Sequence, residues 1–302
     1  MNNVKKIISI SLILCCVILT ALLSGCSTGA PNADKIMSDL NSTDFINAAE
    51  LYGNDEAKTI PVTSVSIVDS KKENKNCRIT CTVVQEDDHY KKESQLMISY
   101  NKLDDWFMDT YNATNVSVMP IAGVPDDMIK NSYEVTSLEG YNNKKAVVEC
   151  SNITHDFNAA SLTDNISVEC TVTSETCKRV VELSLNYKFN EKWKKEKDEK
   201  STISREWLVD NLVGTTWTGS LGFGGVRTVR INSIDTANQT MDLDYGYSSL
   251  TQSEVCSYKI KDYTNYGEKK QALVMSLTYD FYDLEILDDG IWYGANLNKI
   301  TE

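Results

Sequence analysis

The sequence predicts an α+β chain: two small modules, each a helix on an antiparallel sheet, then a mostly β carboxy-terminal barrel or sandwich. Three observations lead there. Apolar spacing changes from helical to alternating after Tyr52. A strand-like run ending in Tyr, with Trp six residues later, occurs twice, at Tyr100–Trp106 and Tyr187–Trp193. From Thr215 onward, about six short alternating runs are separated by Gly, Asn and Asp, with no long helical stretch between them.

The elements follow in chain order. Met1 to Lys6 holds two cations, Lys5 and Lys6, and no acid; Ile7 to Leu23 is an uncharged apolar run. Its length lies between a signal h-region and a short spanning helix. Leu23-Ser24-Gly25-Cys26 comes next: an aliphatic residue, two small residues, then cysteine. This resembles the lipobox of bacterial lipoproteins. The resemblance implies a signal peptide over 1–25, cleavage before Cys26, and a diacylglyceryl group, with palmitate-type chains, on the Cys26 thiol. It also implies an extracytoplasmic location, with the membrane as a partner through that lipid. Two chains anchor where one binds marginally, each buried methylene contributing roughly 0.8 kcal/mol. An uncleaved amino-terminal membrane helix is the alternative. Cys15 and Cys16 lie in the apolar run as small hydrophobes, and 26–33 reads as a small-residue linker.

Residues 34–118 form the first predicted module. Ile36, Leu40, Phe45, Ile46 and Leu51 fall near helical spacing, with Asn41-Ser42-Thr43 a point of division. Val62 to Val68 and Cys77 to Val84 alternate as half-buried strands do, around a polar turn at Ser70 to Asn76. Gln95 to Tyr100 and Asp105 to Asp109 complete the sheet. Residues 119–200 form the second module. Val135-Thr-Ser-Leu138 echoes Val62-Thr-Ser-Val65, and Ile79-Thr-Cys81 matches either Val148-Glu-Cys150 or Val168-Glu-Cys170. The repeated Tyr and Trp read as packing residues that close a curved sheet. His89 and His155 fall in expected turns, and Lys188 to Lys200 reads as a solvated strand end and linker. This layout resembles the cystatin-like or NTF2-like class, found in tandem in lipoproteins of low-GC Gram-positive bacteria; the resemblance covers 32–195.

In residues 201–302, Ser201 to Leu212 reads as a short helix stopped by Gly214. Strands are expected at 216–221, 226–234, 240–247, 254–260, 272–281 and 291–300. Gly214-Thr-Thr-Trp217 is similar to the Gly-x-Trp opening of lipocalin-like barrels, one residue out of register, in a segment shorter than a full lipocalin.

Composition narrows function. The chain has 30 Lys+Arg and 43 Asp+Glu; without Lys5 and Lys6 the balance falls from −13 to −15. Nucleic-acid binding needs a basic face, so none is expected. Six cysteines follow Cys26: Cys77, Cys81, Cys150, Cys170, Cys177 and Cys256. Cys77 and Cys81 on one strand lie about 13 Å apart at roughly 3.3 Å per residue and cannot bond each other. Cys150 with Cys170, across neighbouring strands, is the favoured disulfide; buried free thiols are the open alternative.

Catalytic constellations are sparse. Gly219 to Gly225 (GSLGFGG) lacks the Gly-Lys-Ser/Thr of a P-loop and precedes a strand, so it reads as a hairpin loop. His89 and His155 each lack further ligands in sequence, and no Gly-x-Ser-x-Gly elbow exists. Asp104-Asp105, Asp126-Asp127, Asp242/Asp244 and Asp288-Asp289, most of them in expected turns, read as solubilising punctuation rather than a glycosidase pair. No catalytic residue, metal or cofactor is expected. The expected role is a non-enzymatic binding or assembly module contacting an envelope protein, peptide or glycan. A small-molecule carrier with a pocket in the barrel or an NTF2-like cone is the alternative, and an envelope hydrolase the third reading.

Overall fold

The computed structural model describes residues 29–53, 57–139, 146–221, 225–265, 268–288 and 290–300. The expected signal peptide and Cys26 lie outside the described residues. Among the described residues no helix is long and apolar enough to cross a membrane. The fold is α+β: two four-stranded antiparallel sheets with short helices, then a closed eight-stranded barrel. The chain falls into two compact units, Met1–Met128 with Asp156–Asp164 and Tyr187–Lys194, and Ile129–His155 with Asn165–Asn186 and Lys195–Glu302.

The first helix, α1 (Ala33–Asn41), starts where the Asn32 side chain accepts the Lys35 amide at 2.9 Å. That cap satisfies one of the helix's orphan donors. Asp34 suits the positive end, and Ile36 and Leu40 are fully buried. The segment is indeed divided after Asn41. Thr43 caps a 3-10 turn at Asp44–Ile46, and α2 (Ala49–Tyr52) ends at Gly53, whose φ of 66° is left-handed.

Four strands follow in a meander: β1 (Val62–Glu73), β2 (Asn76–Glu86), β3 (Tyr90–Lys102) and β4 (Trp106–Pro120). β2 buries Cys77, Ile79, Cys81 and Val83 on one face. They join Leu96, Ile98 and Tyr100 of β3 and Ile36, Leu40 and Phe45 of the helical segment in one core. The strands outrun their expected bounds. The β1–β2 turn shrinks to Asn74-Lys75, with Asn74 at φ 54°, because register pairs Glu73 with Asn76. Polar Ser70 to Glu73 is therefore a solvated strand end rather than a turn, since ladder pairing does not require apolar side chains.

The second sheet is preceded by α3 (Asp126–Lys130), α4 (Tyr133–Thr136) and a 3-10 turn at Ser137–Glu139. It orders β5 (Val147–Asn158), β6 (Thr163–Thr173), β7 (Cys177–Asn190) and β8 (Lys192–Trp207). Val135-Thr-Ser-Leu138 is helical and does not repeat the Val62 strand; its Val135 and Leu138 are the buried residues of a helical turn. Lys188 to Lys200 is no linker, and Ser201 to Trp207 no helix. Both belong mainly to β8, an edge strand whose run from Lys194 to Lys200 is exposed and charged. Charge on an edge blunts further pairing while the backbone stays laddered on one side. Helix appears only as a 3-10 turn at Val209–Leu212. His155 lies exposed on β5, not in a turn.

The topology also settles the middle of the repeat. β2 and β6 are the second strands of their sheets and share alternating burial, so Cys81 corresponds to Cys170 and not to Cys150. Tyr100 and Tyr187 end the third strands, while Trp106 and Trp193 begin the fourth; all four are buried. Trp106 donates to the Gly29 carbonyl at 2.6 Å, and Trp193 packs edge-to-face on Phe157 and Phe189.

The barrel comprises β9 (Thr216–Ser220), β10 (Val226–Asp235), β11 (Thr240–Tyr247), β12 (Gln252–Asn265), β13 (Glu268–Met275), β14 (Leu284–Leu287), β15 (Gly290–Trp292) and β16 (Asn296–Lys299). It closes through β16 on β9, pairing Asn298 with Thr218 and Lys299 with Trp217. Two expected strands are corrected. That over 272–281 ends at Met275, giving way to a loop over 276–283, and that over 291–300 is broken around Gly294, at φ 68°. Inward residues including Trp217, Val229, Ile231, Met241, Leu243, Met275, Ile286 and Leu297 fill the interior. Eight strands enclose about the space that side chains can fill.

Candidate functional site

In an antiparallel barrel, alternate connections emerge at the same end. The β9–β10, β11–β12, β13–β14 and β15–β16 connections therefore share one end. That end gathers aromatic and charged side chains around Arg227, near the start of β10. The Arg227 guanidinium lies 4.8 Å from the Tyr293 ring centroid, 5.2 Å from Tyr282 and 5.4 Å from Tyr247. It pairs with Asp280 and donates to the Tyr293 hydroxyl at 3.2 Å, while Tyr293 donates to Asp280 at 2.6 Å. Arg227 is only 8% exposed, and its Nε is buried with no hydrogen-bond partner among the described residues.

This network fixes the 276–283 loop. Asp280 also accepts the Tyr282 amide at 3.1 Å, and Glu254 accepts the Thr278 amide and the Tyr245 hydroxyl, each at 2.9 Å. Burial would raise the Asp280 carboxyl, but hydrogen bonds from Tyr293, the Tyr282 amide and Arg227 outweigh it and hold it below its ordinary value. Burial and the Asp280 carboxylate push the Tyr293 phenol well above its usual range, so it remains a donor. Gly225 makes room for Tyr247: a Cβ there would fall 1.8 Å from the Tyr247 hydroxyl.

On this braced loop and the neighbouring end of β11 the outward groups are mainly aromatic. Phe281 is 93% exposed, Tyr279 69% and Tyr247 54%, with Tyr282 and Leu250 less so. Phe281 meets Tyr282 edge-to-face at 5.5 Å, and Tyr282 meets Trp292 at 6.0 Å. The arrangement offers π faces, apolar edges and a buried cation. Among the described residues it brings no histidine or cysteine to this end.

The other end of the barrel is tied to the second sheet within the same unit. Asp288 takes a bidentate pair from Arg205, at 2.7 and 2.8 Å, and a third contact from Arg179 at 3.4 Å. Ser174 donates to the Asp288 carbonyl at 2.5 Å and Thr176 to the Leu287 carbonyl at 2.6 Å. Asp288 is thus a nearly buried ionic anchor, not the solubilising turn residue its sequence context suggests; Asp289 lies outside the described residues.

The remaining sequence candidates are dispersed. His89 meets the Gly123 carbonyl at 3.3 Å and packs against Tyr52, while exposed His155 belongs to the other compact unit. Among the described residues no three metal-capable side chains converge. Asp105 caps the Trp106 amide at 2.7 Å, Asp127 pairs with Lys58 at 3.1 Å, and Asp242 and Asp244 are half-buried on β11. Gly219 and Ser220 belong to β9, and Gly222 to Gly224 of the glycine-rich run lie outside the described residues. Cys150 and Cys170 do meet, as thiols with sulfurs 3.1 Å apart. Sequence reading missed Arg227, Asp280, Tyr282 and Tyr293, which converge from β10, the 276–283 loop and the β15–β16 connection. The available signal was the aromatic density of Tyr279-Asp-Phe-Tyr282, where strand alternation breaks down.

No family model matches the chain, and neither does any curated protein or solved structure.

Proposed function

We propose that the chain is a non-enzymatic binding module of the cell envelope, held to the outer face of the membrane by a lipid on Cys26, whose aromatic barrel end docks a protein partner. The observation that carries this is Phe281: an aromatic side chain almost wholly exposed, on a loop that two carboxylates and Arg227 hold in place. Exposed aromatics on an unbraced loop would be a liability; on a braced one they form a preorganised contact. Tyr and Trp are among the types that dominate protein-interface hot spots, and this end supplies Tyr247, Tyr279, Tyr282 and Trp292. The filled interior favours this outer surface over a carrier's cavity.

The test places a benzophenone amino acid at position 281, and separately at Ala237, exposed in the β10–β11 connection at the other end, in cells of the native host. Irradiation should give a discrete protein adduct from 281 that is absent from 237. Glycan-ladder adducts, or equal labelling from both positions, would overturn the reading.

A further inference from the structure

We propose that Cys150 and Cys170 form a redox-active pair that closes into a disulfide across β5 and β6 by exchange with an external disulfide entering the pocket that Cys150 lines. This stands apart from the barrel end. The two sulfurs are 3.1 Å apart, so closure to a bond of about 2.05 Å needs an approach of about 1 Å. The other cysteines are placed differently. Cys77 has Ser70 as its sulfur's neighbour at 3.6 Å, and Cys256 faces the Met241 carbonyl at 3.7 Å. The first sheet offers an internal comparison: Cys81, the counterpart of Cys170, faces Ile67 on β1. Where the first sheet sets a branched apolar residue against its cysteine, the second sets a thiol.

Access is asymmetric. Cys170 is fully buried, whereas half-buried Cys150 lines a pocket of about 250 Å³. Val135, Val148 and Glu139 form its walls, and exposed Lys130, Asn131 and Thr136 its rim. A small disulfide entering there meets Cys150 first. Burial, reinforced by the hydrogen bond and charge of Cys150, pushes the Cys170 thiol up to about 12, which keeps it protonated near neutrality. Cys150, the sulfur that the pocket reaches, is therefore the attacking group and buried Cys170 the resolving one. Cys150 attacks one sulfur of the external disulfide, forms a mixed disulfide and expels one thiolate, which takes up a proton. Cys170 then attacks Cys150 Sγ and expels the second thiolate, which takes up the proton that Cys170 gives up. Two protein thiols are oxidised to one disulfide and the external disulfide is reduced to two thiols, so electrons and protons balance.

The full chain, reduced and then freed of reductant, is incubated natively with oxidised glutathione, denatured in acid, alkylated and mapped by mass. Alkylation of Cys150 and Cys170 should fall together by about tenfold or more, with the two peptides joined, while Cys77, Cys81, Cys177 and Cys256 remain alkylated. Cys170→Ser should accumulate a glutathione adduct on Cys150, and Cys150→Ser should leave Cys170 unmodified. Full alkylation of both cysteines in the wild-type chain, or a link to another cysteine, would overturn the proposal. Because the wild-type map decides by itself, a misfolded variant would not obscure the result.

Discussion

Removing the Asp288 carboxylate should unfasten the barrel from the second sheet's tip, and the structure sets the size of the effect. Asp288 has 9% side-chain exposure, Arg205 10% and Arg179 13%. Asp288→Ala leaves two nearly buried guanidinium groups without their counter-ion, close to the class where breaking a buried pair costs about 3–5 kcal/mol. The residual exposure of both arginines lets water compensate in part, which puts the expectation near 3 kcal/mol, at the low end of that range. Arg179→Met removes one contact at 3.4 Å and leaves the bidentate pair, so it should cost about 1 kcal/mol. Arg205→Met strands the carboxylate instead and should approach the Asp288→Ala value. Urea unfolding followed through tryptophan emission measures each midpoint and slope. An Asp288→Ala loss below about 1 kcal/mol at unchanged slope would refute the anchor. So would an Asp288–Arg205 double-mutant cycle without coupling, since contacting residues should be non-additive.

The aromatic end makes the opposite stability prediction. Phe281→Ser should leave the unfolding midpoint within about 0.5 kcal/mol of wild type, because Phe281 is 93% exposed. With the photoprobe moved to Tyr279, the same change should weaken the protein adduct; an undiminished adduct would count against the docking surface. The Asp280 carboxyl is held below its ordinary value, so its contribution is complete above the unfolded carboxylate value of about 3.9 and lost as pH falls through the native value. Stability should therefore drop on acidification below about pH 4, and Asp280→Asn should flatten that part of the profile; an identical acid limb in the variant would refute the assignment. Cys26→Ala should abolish incorporation of labelled palmitate in cells, and persistent label would remove the lipid anchor from the proposed function.

The fold was legible wherever apolar periodicity was imposed by one buried face. β2, with Cys77, Ile79, Cys81 and Val83 turned inward, is such a case, as is α1 with Ile36 and Leu40. The paired Tyr and Trp residues were legible because a large aromatic fixes its own surroundings over a few residues of chain. β8 was not. Its residues from Lys194 to Lys200 face water on an edge, so their side chains carry no record of the backbone pairing that makes them a strand. The candidate site was illegible for a different reason. Arg227, Tyr247, Asp280 and Tyr293 are distant in sequence and meet only because antiparallel closure returns every second connection to one end. Asp288 misled because Asp-Asp-Gly has turn chemistry, whereas the partners that bury it, Arg179 and Arg205, come from strands around a hundred residues earlier.

The two ends of the barrel divide the work between them. At one, polar side chains are spent on closure: Asp288 is held by two arginines, and Ser174 and Thr176 cap the Asp288 and Leu287 carbonyls. At the other, the ion pair between Arg227 and Asp280 is turned inward to stiffen a loop whose Phe281 and Tyr279 face water. Burying Phe281 would have contributed roughly 1.5–3 kcal/mol to the fold, so leaving it outside forgoes stabilisation that the chain could have had. A surface that forgoes such burial and is nevertheless rigidly supported gains from its exposure only when a partner completes it. Wild-type protein and Phe281→Ser should therefore be equally stable alone and should diverge in the presence of the crosslinked partner, where only the wild type gains the stabilisation that binding supplies. Equal stability of the two with partner present would mean that Phe281 is not part of the contact.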